Sequence, residues 1–306
     1  EDIEAVVLDI AKRNQIHPLQ DHIKSVQWDG RPRAETWLTR YCGAKDSEYV
    51  RTIGKKWLIG AIARLFRPGC KFDNILILEG LQGVQKSTIL RKLSYDYFLD
   101  GSLDIKSKDG LMALFGKWIV EFSELEGMNG RTAEQIKAFL AKQEDRVRRP
   151  YSRTEEIFER TCVFAGTTNK SQYLDDDSGN RRFWPVQIAK AKIDDIELDR
   201  DQLWAEAFEL FEGGESWWVD EESDQAQILR GEQGERVSHD ELADEIMNWA
   251  STQALDDGRI CIKLKDLWTD VYRGDVKTLD RRKQIELGTT LRKLGFDKGS
   301  VTLKGV

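Results

Sequence analysis

The chain has 306 residues, 40% of them hydrophobic and 33% charged, with a formal net charge of −7. This is ordinary globular composition, long enough for one large domain or a core with appendages. It excludes binding of polyanions by overall charge, so any such partner must meet a local basic patch.

The opening stretch EDIEAVVLDIAKRNQ lacks a basic start followed by an apolar core, so no signal peptide is expected. The absence of an initiator Met reads as a piece of a longer chain. Residues 1–70 form an N-terminal helical region. In WLTRYCG and EYVRTIGKKWLIGAIARLF, apolar residues recur at three- and four-residue spacing with Arg and Lys between them. RPGCKFDN (67–74) is a breaker segment, and ILILE (75–79) reads as a buried strand.

A core over 71–190 then alternates. A helix at 86–94 is followed by a short strand in YFLDGS, a helix in SKDGLMALFG and a strand in KWIVEFS (117–123). Thr132, with Gln135 three residues on, is a capping-box pattern opening a helix over 133–143. TCVFAGTTN (161–169) and RRFWPVQI (181–188) read as strands. The alternation argues an α/β fold with a parallel, helix-covered sheet.

Residues 191–240 read as an acidic helical extension, with a helix around 199–212 and the pair Trp217-Trp218. GEQGERVSHDE (231–241) looks like a boundary. The module at 241–306 holds two or three short helices, and the end of LGTTLRKLGFDKGSVTLKGV resembles a hairpin. No apolar run approaches ~20 residues, so no membrane-spanning helix is expected. Cys42, Cys70, Cys162 and Cys261 are far apart, with no CxxC and no neighbouring His. That pattern argues against zinc and against a disulfide framework, and so for a soluble protein of a reducing compartment.

The strongest chemical signal is GLQGVQKST (80–88), which matches G-x-x-x-x-G-K-[ST] at every fixed position except Gln85. Between a strand and a helix, Gly80, Gln82, Gly83, Val84, Gln85, Lys86, Ser87 and Thr88 would wrap the phosphates of a nucleotide. Lys86 would reach the β/γ-phosphates and Ser87 would ligate Mg²⁺ at the helix start. Glycine ordinarily precedes the lysine because a side chain crowds the phosphate or because the backbone is of a glycine-only type. Gln85 is tolerated if it takes a helical or bridge conformation and turns its amide outward.

Such a site also needs carboxylates at the end of a neighbouring strand, for Mg²⁺ and for the attacking water. WIVEFSELEG offers Glu121, Glu124 and Glu126. Glu121 and Glu124 are the candidates, and which serves metal and which water stays open. Asn169, with Thr168 or Thr167, sits at a strand tip where it could meet the attacking water or γ-phosphate. Arg181 and Arg182 could act as a finger on a neighbouring subunit's γ-phosphate, which requires a head-to-tail ring. RVRRPYSR (146–153) has four arginines and no acid, so Arg146, Arg148, Arg149, Tyr151 and Arg153 form the local basic patch that a DNA backbone requires.

In this order the pieces resemble the virulence-associated protein E family of phages, plasmids and mobile islands, whose ATPase core resembles superfamily 3 helicases of the AAA+ class. The resemblance is carried by WDGRPRAETWL (28–38), LEGLQGVQKST (78–88), GKWIVEFSELEGM (116–128), IKAFLAKQEDRVRRPYSR (136–153) and FAGTTNKSQYLDDDSGNRRFWPV (164–186). It implies an α/β P-loop core with Lys86 and Ser87 as Walker A residues, Glu121 and Glu124 on the Walker B strand, Asn169 as sensor 1, and Arg181 or Arg182 as the finger. It also implies ATP and Mg²⁺ as cofactors, a DNA-contacting hairpin at RVRRPYSR, and a homo-oligomeric, hexameric ring. The implied activity is ATP-driven translocation on single-stranded or forked DNA during replication of a mobile element in the cytoplasm of a bacterial host, beside an upstream primase domain. Non-glycine residues before the lysine also occur in that family, so Gln85 reads as a working variant. The tail resembles a winged-helix module that would add Arg281, Arg282, Lys283, Arg292 and Lys293 as phosphate contacts; a small helical cap is the alternative. An ATP-gated initiator or scaffold that oligomerises without unwinding is the second functional reading. A metabolite kinase is the third, opposed by the long insertion before Asn169 and the lack of an evident lid.

Overall fold

The computed structural model describes residues 17–101, 103–123, 130–148, 155–169, 180–234, 236, 241–253, 260–296 and 299, with Ile3, Val6 and Val7; side chains of 130–133, 241–244 and 293 lie outside the description. The chain divides into two compact units, Glu1–Val237 and Ser238–Val306.

The first unit is built on a five-stranded parallel sheet in the order β2-β3-β6-β1-β7. Its strands are β1 (Ile75–Glu79), β2 (Phe98–Leu99), β3 (Ile119–Phe122), β6 (Val163–Thr168) and β7 (Phe183–Gln187), while β4 (Glu144–Val147) and β5 (Glu156–Glu159) form a separate antiparallel hairpin. All five residues of β1 are buried, as the uniformly apolar ILIL requires of a central strand covered on both faces.

Alternation along the strands sorts the core into two layers. Leu76, Leu78, Ile119, Val163, Ala165, Trp184 and Val186 share one apolar cluster. They pack with α1 (Pro18–Ser25), α2 (Trp37–Cys42), α3 (Glu48–Phe66), α4 (Lys86–Leu93) and α7 (Ile193–Glu212). Ile75, Ile77, Val120, Phe122, Phe164 and Phe183 face the other way, onto Leu114 and the Ile136, Phe139 and Leu140 of α6 (Gly130–Leu140). The helix α5 (Lys108–Ala113) leads into Leu114.

Helix α3 is apolar nearly all round and buried over most of its length, the pattern of a helix enclosed by other elements. Ser47 caps it by accepting from the Val50 N–H. Tryptophans tie the layers together by indole hydrogen bonds: Trp57 donates to the Phe164 carbonyl, Trp118 to the Ala61 carbonyl and Trp204 to the Leu93 carbonyl.

The edge strand β7 carries Pro185, which is compatible with an edge because no ladder donor is needed on its outer side. Its carbonyls are covered: Tyr49 Oη donates to the Pro185 oxygen and Gln233 Nε2 to the Phe183 oxygen. Gln233 belongs to α8 (Asp224–Gly234), a helix the sequence reading left inside the acidic extension.

The second unit contains α9 (Glu241–Ser251), α10 (Leu264–Asp270) and α11 (Arg281–Lys293) around Ile246, Leu267, Val271, Leu287 and Leu291. Asp280 caps α11 by accepting from the Lys283 N–H. Arg281, Arg282 and Arg292 are exposed. The expected hairpin at the end of the chain falls mostly outside the described residues.

Several expected elements shift. The helix read from 133 begins at Gly130, so Thr132 lies in its first turn and is not its cap. The acidic extension's helix starts at Ile193, six residues before 199, because Ile193 and the buried Ile196 continue its apolar face.

Candidate functional site

The parallel ladder brings the carboxyl ends of β1, β6 and β3 side by side, since Glu79 pairs with Thr168 and Phe122 with Gly166. Clefts at that edge of an open α/β sheet are where such folds place ligands. The glycine loop, 80–85, leaves β1 there and enters α4 at Lys86.

Gly80 is required by close approach: a Cβ there would lie 2.7 Å from the Ile188 carbonyl oxygen. Gly83 has φ +87° and open space around it, which glycine takes without strain. Gln85 has φ 65° and ψ 36°, a left-handed conformation. The expectation of a helical or bridge conformation at Gln85 is therefore corrected. This position demands the backbone that glycine favours, and glutamine holds it at a cost of about 1–2 kcal/mol. Its side chain is exposed, as expected of an amide turned outward.

Lys86 is buried, and its Nζ donates to the Gly80 oxygen at 2.7 Å, the Leu81 oxygen at 3.0 Å and Asn169 Oδ1 at 2.8 Å. Three oxygens thus satisfy an ammonium at the mouth of the loop, and an anion arriving there would replace carbonyl acceptors. Beside it, Ser87 Oγ donates to Glu121 Oε1 at 2.6 Å, and Thr167 Oγ1 donates to the same oxygen at 2.7 Å. Glu121 is 1% exposed, and these two hydroxyls offset the cost of burying its carboxyl group. Lys86, Ser87, Glu121 and Asn169, separated by up to 83 positions, form one hydrogen-bonded corner.

The fit to Mg²⁺ follows from that donor set. Among the described residues no group of three or more His, Cys, Asp or Glu could hold an ion alone. One hydroxyl beside one carboxylate suits an ion that keeps its waters and takes its remaining ligands from phosphates. Glu124 and Glu126 lie outside the described residues.

Sequence reasoning missed the charge pair behind the loop. Glu79, last residue of β1, meets Arg236: Nε is 3.2 Å from Oε1 and Nη2 is 3.3 Å from Oε2. Arg236 also bonds Glu232 at 2.7 Å. Burial is the largest single influence and opposes the guanidinium's charge, but the hydrogen bonds and charges of Glu79 and Glu232 together outweigh it and hold the pKa above its ordinary value. The signal was present in ILILE: an acid ending a wholly buried strand needs a cation.

The described start of the basic segment lies on the β4–β5 hairpin, Arg146 within β4 and Arg148 just past it; a hairpin here was expected only through the family resemblance. Its base is pinned by a buried bidentate pair, with Arg160 Nε 2.6 Å from Asp145 Oδ2 and Nη2 2.9 Å from Oδ1, each side chain 2% exposed. The same guanidinium lies over the Phe139 ring at 4.1 Å and donates to the Phe139 carbonyl. Arg146 is exposed and bonds Glu144 at 3.1 Å, and Arg148 is exposed at the strand end. Arg149, Tyr151 and Arg153 lie outside the described residues.

Arg181 and Arg182 are not at the glycine loop. They precede β7, whose first residue pairs with Ile75 at the opposite end of β1. At about 3.3 Å per residue, five-residue strands put them roughly 15 Å away. Arg182 is mostly buried on Asp73 at 2.9 Å, while Arg181 is exposed and pairs with exposed Glu221.

Residues 23–238 match the virulence-associated protein E-like domain, and the chain belongs to that family. In fold it is similar to the apo structure of the NrS-1 C-terminal region, with a TM-score of 0.51 at 14% identity over 92% of this chain and 70% of that one. A second form of that region gives a TM-score of 0.50 at 13% identity, covering 92% and 69%. No curated protein matches the chain. Among the described residues no helix is long and apolar enough to cross a membrane.

Proposed function

We propose that this member of the virulence-associated protein E-like family is an ATP- and Mg²⁺-dependent DNA helicase or translocase of the superfamily 3-like AAA+ type, hydrolysing ATP between subunits of a ring. The observation that carries the reading is the corner in which Lys86, Ser87, Glu121 and Asn169 converge at the mouth of a glycine loop. The setting, replication of a phage or mobile element in a bacterial cytoplasm with a primase upstream, rests on the family resemblance.

In this reading Lys86 exchanges the Gly80 and Leu81 carbonyls for β/γ-phosphate oxygens. The N–H groups at the start of α4 face the same phosphates. Ser87 and Glu121 would hold Mg²⁺, Glu121 partly through water, and a bound ion there would supply charge neutralisation at the phosphates. Asn169, already bonded to Lys86, orients the attacking water or the γ-phosphate. Glu121 and Glu124 are the two carboxylates for metal and attacking water, Glu121 being the one beside Ser87. The arginine finger is Arg181, because its pair with Glu221 is exposed and exchangeable whereas Arg182 is mostly buried on Asp73, and both lie at the opposite end of β1 from the loop of their own chain. Arg146, Arg148, Arg149, Tyr151 and Arg153 on and between the hairpin strands take the DNA backbone, where Arg side chains and an aromatic ring suit phosphates and bases.

Steady-state ATP hydrolysis with and without single-stranded DNA tests this, with strand displacement measured alongside. DNA-stimulated turnover and unwinding are expected. A second reading, an ATP-gated DNA-binding initiator or scaffold, is favoured by the left-handed Gln85 and the closed contacts of Lys86. ATP-dependent DNA binding without displacement would select it, and equal turnover by a monomer with and without DNA would sink the motor.

A further inference from the structure

The last residue of β1 is an acid in a place with almost no water. Glu79 is 5% exposed, and the next residue, Gly80, opens the glycine loop. A carboxylate there works against a loop whose ligand is a polyanion, because like charges repel across a partly buried site far more strongly than across water. The reaction proposed above gives Glu79 no task.

Arg236 answers that charge. Its guanidinium meets both carboxylate oxygens of Glu79, and its side chain is itself mostly buried. The rest of the fork is held by Glu232, whose carboxylate and carbonyl both accept from Nη1. Glu232 is partly in water, which screens its charge, whereas Glu79 has a guanidinium in place of water. The backbone here does not need the pair. The Glu79 carbonyl accepts from the Ile188 N–H at 2.8 Å, and the Gly80 N–H donates to the Thr168 carbonyl at 3.2 Å. Neighbouring strand ends on both sides therefore fix the start of the loop, and the Gly80 carbonyl goes on to accept from Lys86. What Arg236 adds is charge rather than shape.

We propose that Arg236 is a positioning residue for the nucleotide site: acting through Glu79, it cancels a buried negative charge at the root of the glycine loop and so lets the loop accept the phosphates of a nucleoside triphosphate. The inference rests on the magnesium-nucleotide reading of the loop. It adds to that reading a residue outside every motif of the core, 157 positions from Glu79 and next to the end of the first unit at Val237. Its signature is a sign. Removing the Glu79 charge helps the nucleotide to bind, whereas a pair that only held the loop in shape would harm binding from either side.

The test is calorimetric titration of a non-hydrolysable ATP analogue, with Mg²⁺, into the full chain and into Arg236→Gln, Glu79→Gln and the double variant Glu79→Gln/Arg236→Gln. Lys86→Ala serves as the blank, and thermal melts check folding. Arg236→Gln strands the Glu79 charge and should weaken binding by about 10-fold or more. Glu79→Gln leaves Arg236 facing one acid instead of two, and should bind about threefold more tightly than the parent. The double variant should return to within about threefold of the parent, because the charge and its counter-charge leave together. If Arg236→Gln fails to melt cooperatively, Glu79→Gln decides alone: tighter binding supports the inference, and parent-like or weaker binding overturns it. Equal binding by all three variants, or weakening by all three, also overturns it, while Lys86-dependent binding by the parent leaves the reading of the loop standing. A parent that binds no nucleotide removes both.

Discussion

The two ends of the parallel sheet are built differently. At the carboxyl end, charged groups are buried and serve one another: Lys86 binds loop carbonyls and Asn169, and Glu121 gathers two hydroxyls. At the amino end each cation is held by one acid, Arg181 by Glu221 at the surface and Arg182 by Asp73 largely out of water, beside an aromatic cavity. Buried polar groups in a corner that can exchange partners are suited to chemistry, whereas a mixed-charge aromatic patch is suited to contact. The difference teaches that the sheet can act as a spacer. It keeps Arg181 roughly 15 Å from the glycine loop of its own chain.

The largest expected effects break this contrast at its chemical end. Arg181→Ala should lower ATP turnover by about 10³-fold or more while leaving the melt unchanged, because a finger acts on the transition state. Arg182→Ala should instead lower stability, by about 1 kcal/mol for a largely buried pair, with a smaller change in turnover. Parallel denaturant melts and hydrolysis rates check both, and equal loss of turnover in the two variants would erase the distinction.

Next in size is the hairpin anchor. Asp145→Ala leaves Arg160 charged and buried, and should cost about 3–5 kcal/mol in urea unfolding. Replacing both partners, with Asp145→Leu and Arg160→Met, should recover much of that loss. Greater damage in the double variant than in Asp145→Ala would contradict the account of the pair as a mutually neutralised anchor.

A smaller effect sharpens the reading of Gln85. Gln85→Gly relieves a left-handed backbone but adds unfolded-state freedom, so a net gain of up to about 1 kcal/mol is expected in the same melts. Destabilisation by Gln85→Gly would mean that the side chain contributes more than its backbone strain costs.

The smallest effect is a pH slope at Glu206. Burial raises its pKa above 4.5, partly offset by the Arg33 and Ala34 N–H groups that it accepts from. A carboxyl that holds its proton more tightly when folded stabilises most at pH values below its unfolded pKa. That contribution is lost as pH rises through the folded pKa. Relative to Glu206→Gln, the parent should therefore lose stability as pH climbs above 4.5. A flat difference would place the compensation entirely in those two N–H groups.

What the sequence showed of this molecule was what is local. The glycine loop, the apolar β1 and the alternation of strands and helices are written in short windows, where residue type and spacing act directly on the backbone. The meeting of Ser87 with Glu121 also followed, because parallel strands align their carboxyl ends. Pairings across long separations did not. Glu79 finds Arg236 across 157 positions, and neither GEQGERVSHDE nor ILILE alone names the other. The β4–β5 hairpin has only four residues per strand, with burial alternating in β4, too short for the pattern to compete with helix signals on either side. Helix α8 is held by Gln233 on an edge-strand carbonyl and by buried Leu229, which are tertiary contacts that propensity does not encode. At Gln85 the residue type argued against a left-handed backbone, and the closure of the loop overrode it.

The central claim is that the glycine-loop corner holds a magnesium nucleotide through Lys86. Calorimetric titration of a non-hydrolysable ATP analogue into the parent and into Lys86→Ala, each with Mg²⁺ and with EDTA, tests it most directly. Saturable, Mg²⁺-dependent binding to the parent that Lys86→Ala weakens by at least about 100-fold is the predicted result. No binding by the parent, or equal binding by Lys86→Ala, would contradict it.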